Sequence, residues 1–184
     1  IEGNIATLAG LTETGHALLI NVTDTSVAAS ALNTLNAKTT VPITVTSTDI
    51  NGTFADVIAV YDAGENGTIL GLGNENSIIA GVLTVAQANT LAAQTTGVIT
   101  AAISDGDMDT LTGLTETGNA YTMTVTDASV SASALNTLNA KTTVPIIVTA
   151  TTITGTAVDI SAAYAANDAG TITGLGNEAV TVTD

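Results

Sequence analysis

Two hydrophobic periods alternate along this chain. In the first, apolar residues return at helical spacing behind polar residues suited to capping. Asp24-Thr25-Ser26 precedes Val27, Ala28, Ala31, Leu32 and Leu35, and Asp127 to Ser129 precede Val130, Ala134, Leu135 and Leu138. Thr53-x-x-Asp56 has the form of a capping box ahead of Phe54, Val57, Ile58 and Tyr61, matched by Thr156-x-x-Asp159 with Ala157, Ile160 and Tyr164. Thr84-x-x-Gln87 opens a further helix carrying Val85, Ala88, Leu91 and Ala92 and closing near Gly97. Each is about three turns or fewer, too short to persist alone in water, so packing must hold them.

The second period is extended and β-branched. It covers Leu18 to Thr23, Val41 to Ser47, Gly97 to Thr100, Tyr121 to Thr126, Val144 to Ala150 and Ala179 to Thr183. Pro42 and Pro145 stand at strand entry, where a missing N–H is tolerated. Asn51-Gly52, Asn66-Gly67, Gly71-x-Gly73-Asn74 and Asp105-Gly106 read as turns.

The whole pattern repeats. Residues 1–81 return as 104–184 without a gap, with 48 of 81 positions identical, and Ala29–Ile43 returns unchanged as Ala132–Ile146. A fixed 103-residue period is the signature of an array in which each unit buries its apolar face against its neighbours. Residues 1–81 then form a first partial copy, 82–103 the remainder of that repeat and 104–184 a second partial copy, in one continuous array. The missing Met and the stop within a repeat suggest a piece of something longer.

Helix-then-strand order requires crossovers between parallel strands, and such crossovers are right-handed. The expected fold is α/β: a right-handed solenoid of short helix–strand coils with a stacked parallel sheet, about four coils per repeat. Residues 107–114 are expected to be a coil whose helix has shrunk to a tight turn. The alternative is a pair of tandem β-sandwich domains, for which 103 residues and Thr-rich strands also suit.

Composition narrows the function more than it names one. Net charge is -15, with Lys38 and Lys141 the only cationic residues apart from His16, which excludes nucleic acid as a partner. No apolar run approaches the length of a spanning helix, so membrane insertion is not expected. Only 10% of residues are charged against 45% hydrophobic, enough apolar surface to offset ordering entropy. The core is thin: 30 Ala, one Phe, three Tyr, no Trp, beside 37 Thr. Cysteine is absent, so disulfides and thiolate metal sites are too. The scarcity of Lys and Arg leaves few sites for trypsin-like proteases and suits an extracellular setting.

Catalytic chemistry is poorly supplied. His16 is the sole histidine and its repeat counterpart is Asn119, so no histidine-dependent site recurs. Gly71-x-Gly73 lacks the third glycine of a dinucleotide fingerprint and reads as a tight turn. Asp105, Asp107 and Asp109 are the one candidate metal set, three carboxylates at alternate positions resembling the start of a calcium loop. Glycine and distal Glu do not together complete the loop pattern, since Thr110 stands at the glycine position, and the first copy has Glu2, Asn4 and Ala6 in place of the three acids. Calcium is thus the sole candidate cofactor. The Thr-x-Thr pairs (Thr44/Thr46, Thr122/Thr124/Thr126, Thr181/Thr183) raise ice binding as an alternative, against the plain reading of β propensity. Asn21, Asn51 and Asn66 head Asn-x-Thr acceptor patterns that the second copy does not keep.

Ile153 to Ile160 (ITGTAVDI), Thr171 to Asp184 (TITGLGNEAVTVTD) and Ser133 to Leu138 (SALNTL) resemble repeats of giant bacterial surface proteins, of the kind associated with swimming in marine cyanobacteria. The resemblance covers nearly the whole chain. It implies a secreted, cell-surface or fibre-forming role and carries no catalytic residues with it. The expectation is a structural segment used as stalk, coat or filament, associating with itself through the repeat ends. An adhesive module for polysaccharide or ice is the alternative, with Tyr61, Tyr121 and Tyr164 the residues that a sugar platform would use.

Overall fold

The structure is a computed structural model and describes residues 1–183. The first copy runs β1 (Glu2–Gly3), α1 (Ile5–Leu8), β2 (Asn21–Val22), β3 (Ser26–Ala28), α2 (Ala29–Asn36), β4 (Ile43–Val45), β5 (Asp49–Gly52), α3 (Phe54–Glu65), β6 (Ile69–Leu70) and β7 (Asn76–Leu83). The intervening segment holds α4 (Val85–Ala92) and β8 (Ile99–Ile103). The second copy continues with α5 (Met108–Leu111), β9 (Ala120–Thr122), β10 (Thr124–Val125), β11 (Ser129–Ser131), α6 (Ala132–Asn139), β12 (Ile146–Val148), β13 (Thr152–Gly155), α7 (Ala157–Asp168), β14 (Ile172–Thr173) and β15 (Ala179–Val182).

The chain divides into two compact units, residues 1–81 with 91–100 and residues 82–90 with 101–184. The segment between the copies is therefore shared: most of α4 belongs to the second unit, and the turn leading into β8 belongs to the first.

In the first unit, β1, β2, β4 and β6 form one parallel ladder, with Glu2, Asn21, Thr44 and Leu70 in register on one row. A second parallel ladder aligns Val27, Ile50 and Ser77 from β3, β5 and β7. Alternate strand residues face opposite sides, so Val22, Ile43, Val45 and Ile69 point into the core while Thr44 and Leu70 face out. Helices α2 and α3 pack side by side, burying Leu32, Leu35, Val57, Val60 and Tyr61.

The second unit repeats this plan with β10-β12-β14 and β11-β13-β15, again parallel, and with α6 beside α7. Its core holds Val125, Val130, Leu135, Leu138, Ile146, Val148, Ile153 and Ile172, with Tyr121 and Met123 where the first copy has Leu18 and Ile20. The protein is thus α/β with several parallel ladders and, among the described residues, seven helices. Parallel pairing throughout these ladders is not the antiparallel pairing that a tandem β-sandwich requires.

Several local expectations hold and several do not. The capping boxes form: Thr53 Oγ1 accepts from Asp56 N, Thr156 Oγ1 from Asp159 N, and Thr84 and Gln87 cap one another. The helices expected from Val27 and Val130 begin later, because Ser26–Ala28 and Ser129–Ser131 are strands paired to β5 and β13. Residues 121–126 hold two short strands rather than one. The reduced coil at 107–114 is no peculiarity of the second copy. Asp107 caps the one-turn helix α5 by accepting from Thr110 N, and Asn4 at the same repeat position caps the one-turn α1 through Thr7 N.

Candidate functional site

The polar residues of this protein converge on seams between successive segments rather than on one catalytic pocket. The most regular seam is built by a Thr-Thr-x-x-Ile motif that occurs at Thr39, Thr95 and Thr142. In each, the first threonine's Oγ1 donates to a carbonyl 20 or 21 residues earlier: Thr39 to Leu18 O, Thr95 to Glu75 O and Thr142 to Tyr121 O. The same oxygen accepts the N–H two residues ahead, from Val41, Gly97 and Val144. The second threonine's N–H reaches further back, from Thr40 to His16 O, Thr96 to Gly73 O and Thr143 to Asn119 O. The isoleucine that ends each motif, Ile43, Ile99 or Ile146, is fully buried. The motif ties a turn and plants a core residue at once.

A second seam joins the helices. The Asn-Thr-Leu triplets of α2, α4 and α6 place Asn33, Asn89 and Asn136 so that Nδ2 donates to Asp56 O, Gly113 O and Asp159 O of the next segment. Thr34, Thr90 and Thr137 close on the carbonyl four residues back, and Leu35, Leu91 and Leu138 fill the core. A third seam satisfies helix N-termini, where free N–H groups and the dipole favour a carboxylate. Asp24 accepts from Ile5 N, Asp105 from Val85 N and Asp127 from Met108 N, each from about twenty residues downstream.

These seams account for the candidate calcium residues. Asp105 serves the N-terminus of α4, Asp107 caps α5, and Asp109 lies exposed in the first turn of α5. Among the described residues no group of three His, Cys, Asp or Glu side chains is placed to hold a metal ion. The backbone N–H of Thr110 beside Asp107 holds its carboxyl below the usual aspartate value, as the Asn76 amide and then the Thr48 hydroxyl do for Asp49.

The remaining candidates have structural places. His16 is exposed, and its backbone carbonyl accepts from Thr40. Gly71 and Gly73 adopt φ 91° and 120°, and a Cβ on Gly71 would collide with Val45 O, so the segment is a tight turn as expected. Thr46 and Thr149 donate to Val22 O and Val125 O, while the outward rows of these two sheets mix Glu2, Asn21, Thr44 and Leu70, or Thr124, Ile147 and Thr173, so neither is a uniform threonine ladder. Asn21 Oδ1 is buried without a partner, Asn51 binds Ser26, and Asn66 is exposed at the C-terminus of α3. Tyr61 and Tyr121 are buried, and Tyr164 is half-buried. Burial, then the Glu116 charge, pushes the Tyr121 hydroxyl up to about 12.

Sequence reasoning overlooked two buried acids, Glu75 and Glu178, at the same repeat position. Glu75, 1% exposed, accepts from Gly73 N and Asn74 N through Oε2, and its Oε1 has no partner. Tyr61 bonds Ser77 close by, and burial raises the Tyr61 hydroxyl above its ordinary value. In the second copy Tyr164 donates to Glu178 directly. The signal was legible: the second glycine of Gly-Leu-Gly-Asn-Glu, Gly73 or Gly176, turns its N–H towards the acid two residues on. Beside this cluster lies a cavity of ≈ 300 Å³ lined by Tyr61, Gly64, Leu70, Leu72, Gly73 and Gln94 among others.

Comparison with protein families, curated proteins and solved structures finds no match to this chain.

Proposed function

We propose that this chain is a structural repeat segment of a large extracellular or cell-surface bacterial protein, serving as stalk, coat or filament subunit. The observation that carries the reading is the recurrence of the same seams 103 residues apart, Thr39 with Thr142, Asn33 with Asn136 and Asp24 with Asp127. The residues that make these seams are identical in the two copies, Asp24 with Asp127, Asn33 with Asn136 and Thr39 with Thr142, which suits a unit selected for stacking rather than for one chemical site. In this reading the fold is a right-handed solenoid of helix–strand coils, and its open ends support self-association, a heterologous contact that extends into a filament. The charge of -15 keeps neighbouring rods apart in the crowded layer outside a cell, and divalent cations screen or bridge it. The role is mechanical, with no reaction assigned.

Small-angle scattering and negative-stain electron microscopy of the protein, alone and as tandem fusions of two and three copies, test this. A rod of constant width whose length grows in proportion to copy number is expected. Beads of independent orientation, or a compact particle, would refute it. Antibody labelling of intact source cells tests the location.

A further inference from the structure

The two copies share a turn and an acid but not the group that answers the acid. Glu75 and Glu178 stand at the same repeat position, each held by the N–H of the glycine two residues before it. In the second copy both carboxylate oxygens have partners: Gly176 N donates to each, and Tyr164 Oη donates to Oε2. In the first copy Gly73 N and Asn74 N both bond Oε2, and Oε1 is left buried with no partner. One substitution accounts for the difference. Ser77 occupies the place of Val180, and its hydroxyl lies 3.0 Å from Tyr61 Oη, taking the phenol that would otherwise serve the acid.

A buried carboxylate oxygen is costly unless a donor or a cation meets it. The lysines of this chain are engaged elsewhere: Lys38 stands beside Ala9 and Leu35, and Lys141 donates to Thr115 O. What surrounds Glu75 is a set of neutral hydroxyls. Thr95 Oγ1 lies 2.6 Å from the main-chain oxygen of Glu75 and within reach of Tyr61 Oη. Ser77, Tyr61 and Thr95 are all buried. Burial, opposed by the Ser77 and then the Thr95 hydroxyl and reinforced by the Glu75 charge, raises the Tyr61 hydroxyl above its ordinary value, which puts the carboxylate near the phenol. The cavity of ≈ 300 Å³ meets this cluster at Tyr61 and Gly73 and has the exposed Glu65 on its wall. All of these residues belong to the first unit.

We propose that this cluster binds one monovalent metal cation, sodium or potassium, between Glu75 Oε1 and the hydroxyl oxygens of Tyr61, Ser77 and Thr95. Oxygen donors without nitrogen or sulfur select a hard ion. The single carboxylate sets its charge: one positive charge neutralises the buried acid, whereas a divalent ion would leave a net charge in the core. A hydroxyl that donates one bond still keeps lone pairs for a cation. Glu65 draws the ion to the cavity, and the open space beside Gly73 gives it passage. The second copy lacks the site, because Val180 has no hydroxyl and Tyr164 already serves Glu178. Binding ties β7 to the Thr95 turn, so the stability of the first unit responds to the alkali metal around it. The site does not depend on assembly of an array.

The full chain, dialysed into tetramethylammonium chloride, whose cation is too large for the cluster, is titrated with sodium chloride or potassium chloride at fixed ionic strength. Saturable amide shifts are expected at Gly73, Asn74 and Gly97, with no comparable shift at Gly176 and Asn177, and the melting temperature should rise with added ion. Broadening of the sodium NMR line reads binding directly. Ser77→Val copies the second unit and frees Tyr61 for Glu75, so it should keep the fold and weaken binding at least tenfold. Glu75→Gln should abolish binding, and Glu178→Gln should leave it unchanged. A response to sodium and potassium no greater than to tetramethylammonium overturns the proposal, and the acid is then met by water rather than metal. A response of equal size in Ser77→Val, or one shared by Gly176 and Asn177, overturns it as well.

Discussion

Replacing Thr95 by Val tests whether the threonine seams hold the protein together. Thr95 is 7% exposed, and valine matches its shape, so the change removes hydroxyl bonding with little change in packing. Two bonds go: the donation to Glu75 O at 2.6 Å and the acceptance from Gly97 N at 3.0 Å. Each contributes about 1 kcal/mol net, and a buried polar group left without a partner costs a further ~1–3 kcal/mol. The added methyl returns less than about 1 kcal/mol. The expected loss is about 2–4 kcal/mol. With a urea slope of about 2 kcal/mol per molar, the midpoint falls by roughly 1–2 M. Thr44→Val is the control, since Thr44 faces solvent on the outward row and should shift the midpoint by less than about 0.3 M. Amide exchange should also accelerate at Gly97 and not at Ile50. If Thr95→Val and Thr44→Val lie together within error, the seams are incidental to strand propensity and the reasoning fails.

Gly71→Ala should destabilise severely, by about 3 kcal/mol or more, because its Cβ would overlap Val45 O, whereas Gly73→Ala meets open space and should cost about 1 kcal/mol from its positive φ alone; thermal melts separate the two. Asp107 has a lowered carboxyl pKa, so its cap contributes above the unfolded value of about 4 and is lost as pH falls through the folded one; carbon NMR should place its midpoint below the ordinary aspartate value of about 4. Tyr121 behaves oppositely: its contribution is complete below about pH 10 and disappears as pH rises through about 12, so absorbance at 295 nm should show one tyrosine ionising with a midpoint near that value. Calorimetric titration with calcium should give no saturable heat attributable to Asp105, Asp107 and Asp109, and Asp105→Ala should instead destabilise α4 by about 1 kcal/mol, read as faster amide exchange at Val85.

The chain's order was legible where local chemistry is unambiguous. Capping boxes at Thr53, Thr84 and Thr156 announce helix starts because an oxygen three residues before a free N–H has one obvious use. Helix–strand alternation likewise implied parallel pairing. Val27 and Val130 misled because a short apolar run fits a strand and a helix equally, and only the neighbouring strand decides. β5 was hidden by Asn51-Gly52, which looks like a turn; Gly52 is there because Ala29 approaches within 3.3 Å of where its Cβ would stand. β7 was missed because its exposed and buried positions depend on what covers it. Asp105, Asp107 and Asp109 read as one candidate set from their spacing, and that spacing says nothing of the helix N-termini that Asp105 and Asp107 serve, α4 for the first and α5 for the second. The threonine seams were visible as a recurring motif, but its meaning required knowing which carbonyl each hydroxyl meets.

The side-chain bonds between segments join residues close along the chain, and even Asn36 to Thr68 spans only 32 positions. Short leashes of this kind close fast and need no distant stretch of polypeptide to be present. Each portion can therefore settle soon after it is synthesised, while the next is still being delivered. Maturation of this kind proceeds from one end, with no search for partners across the full contour.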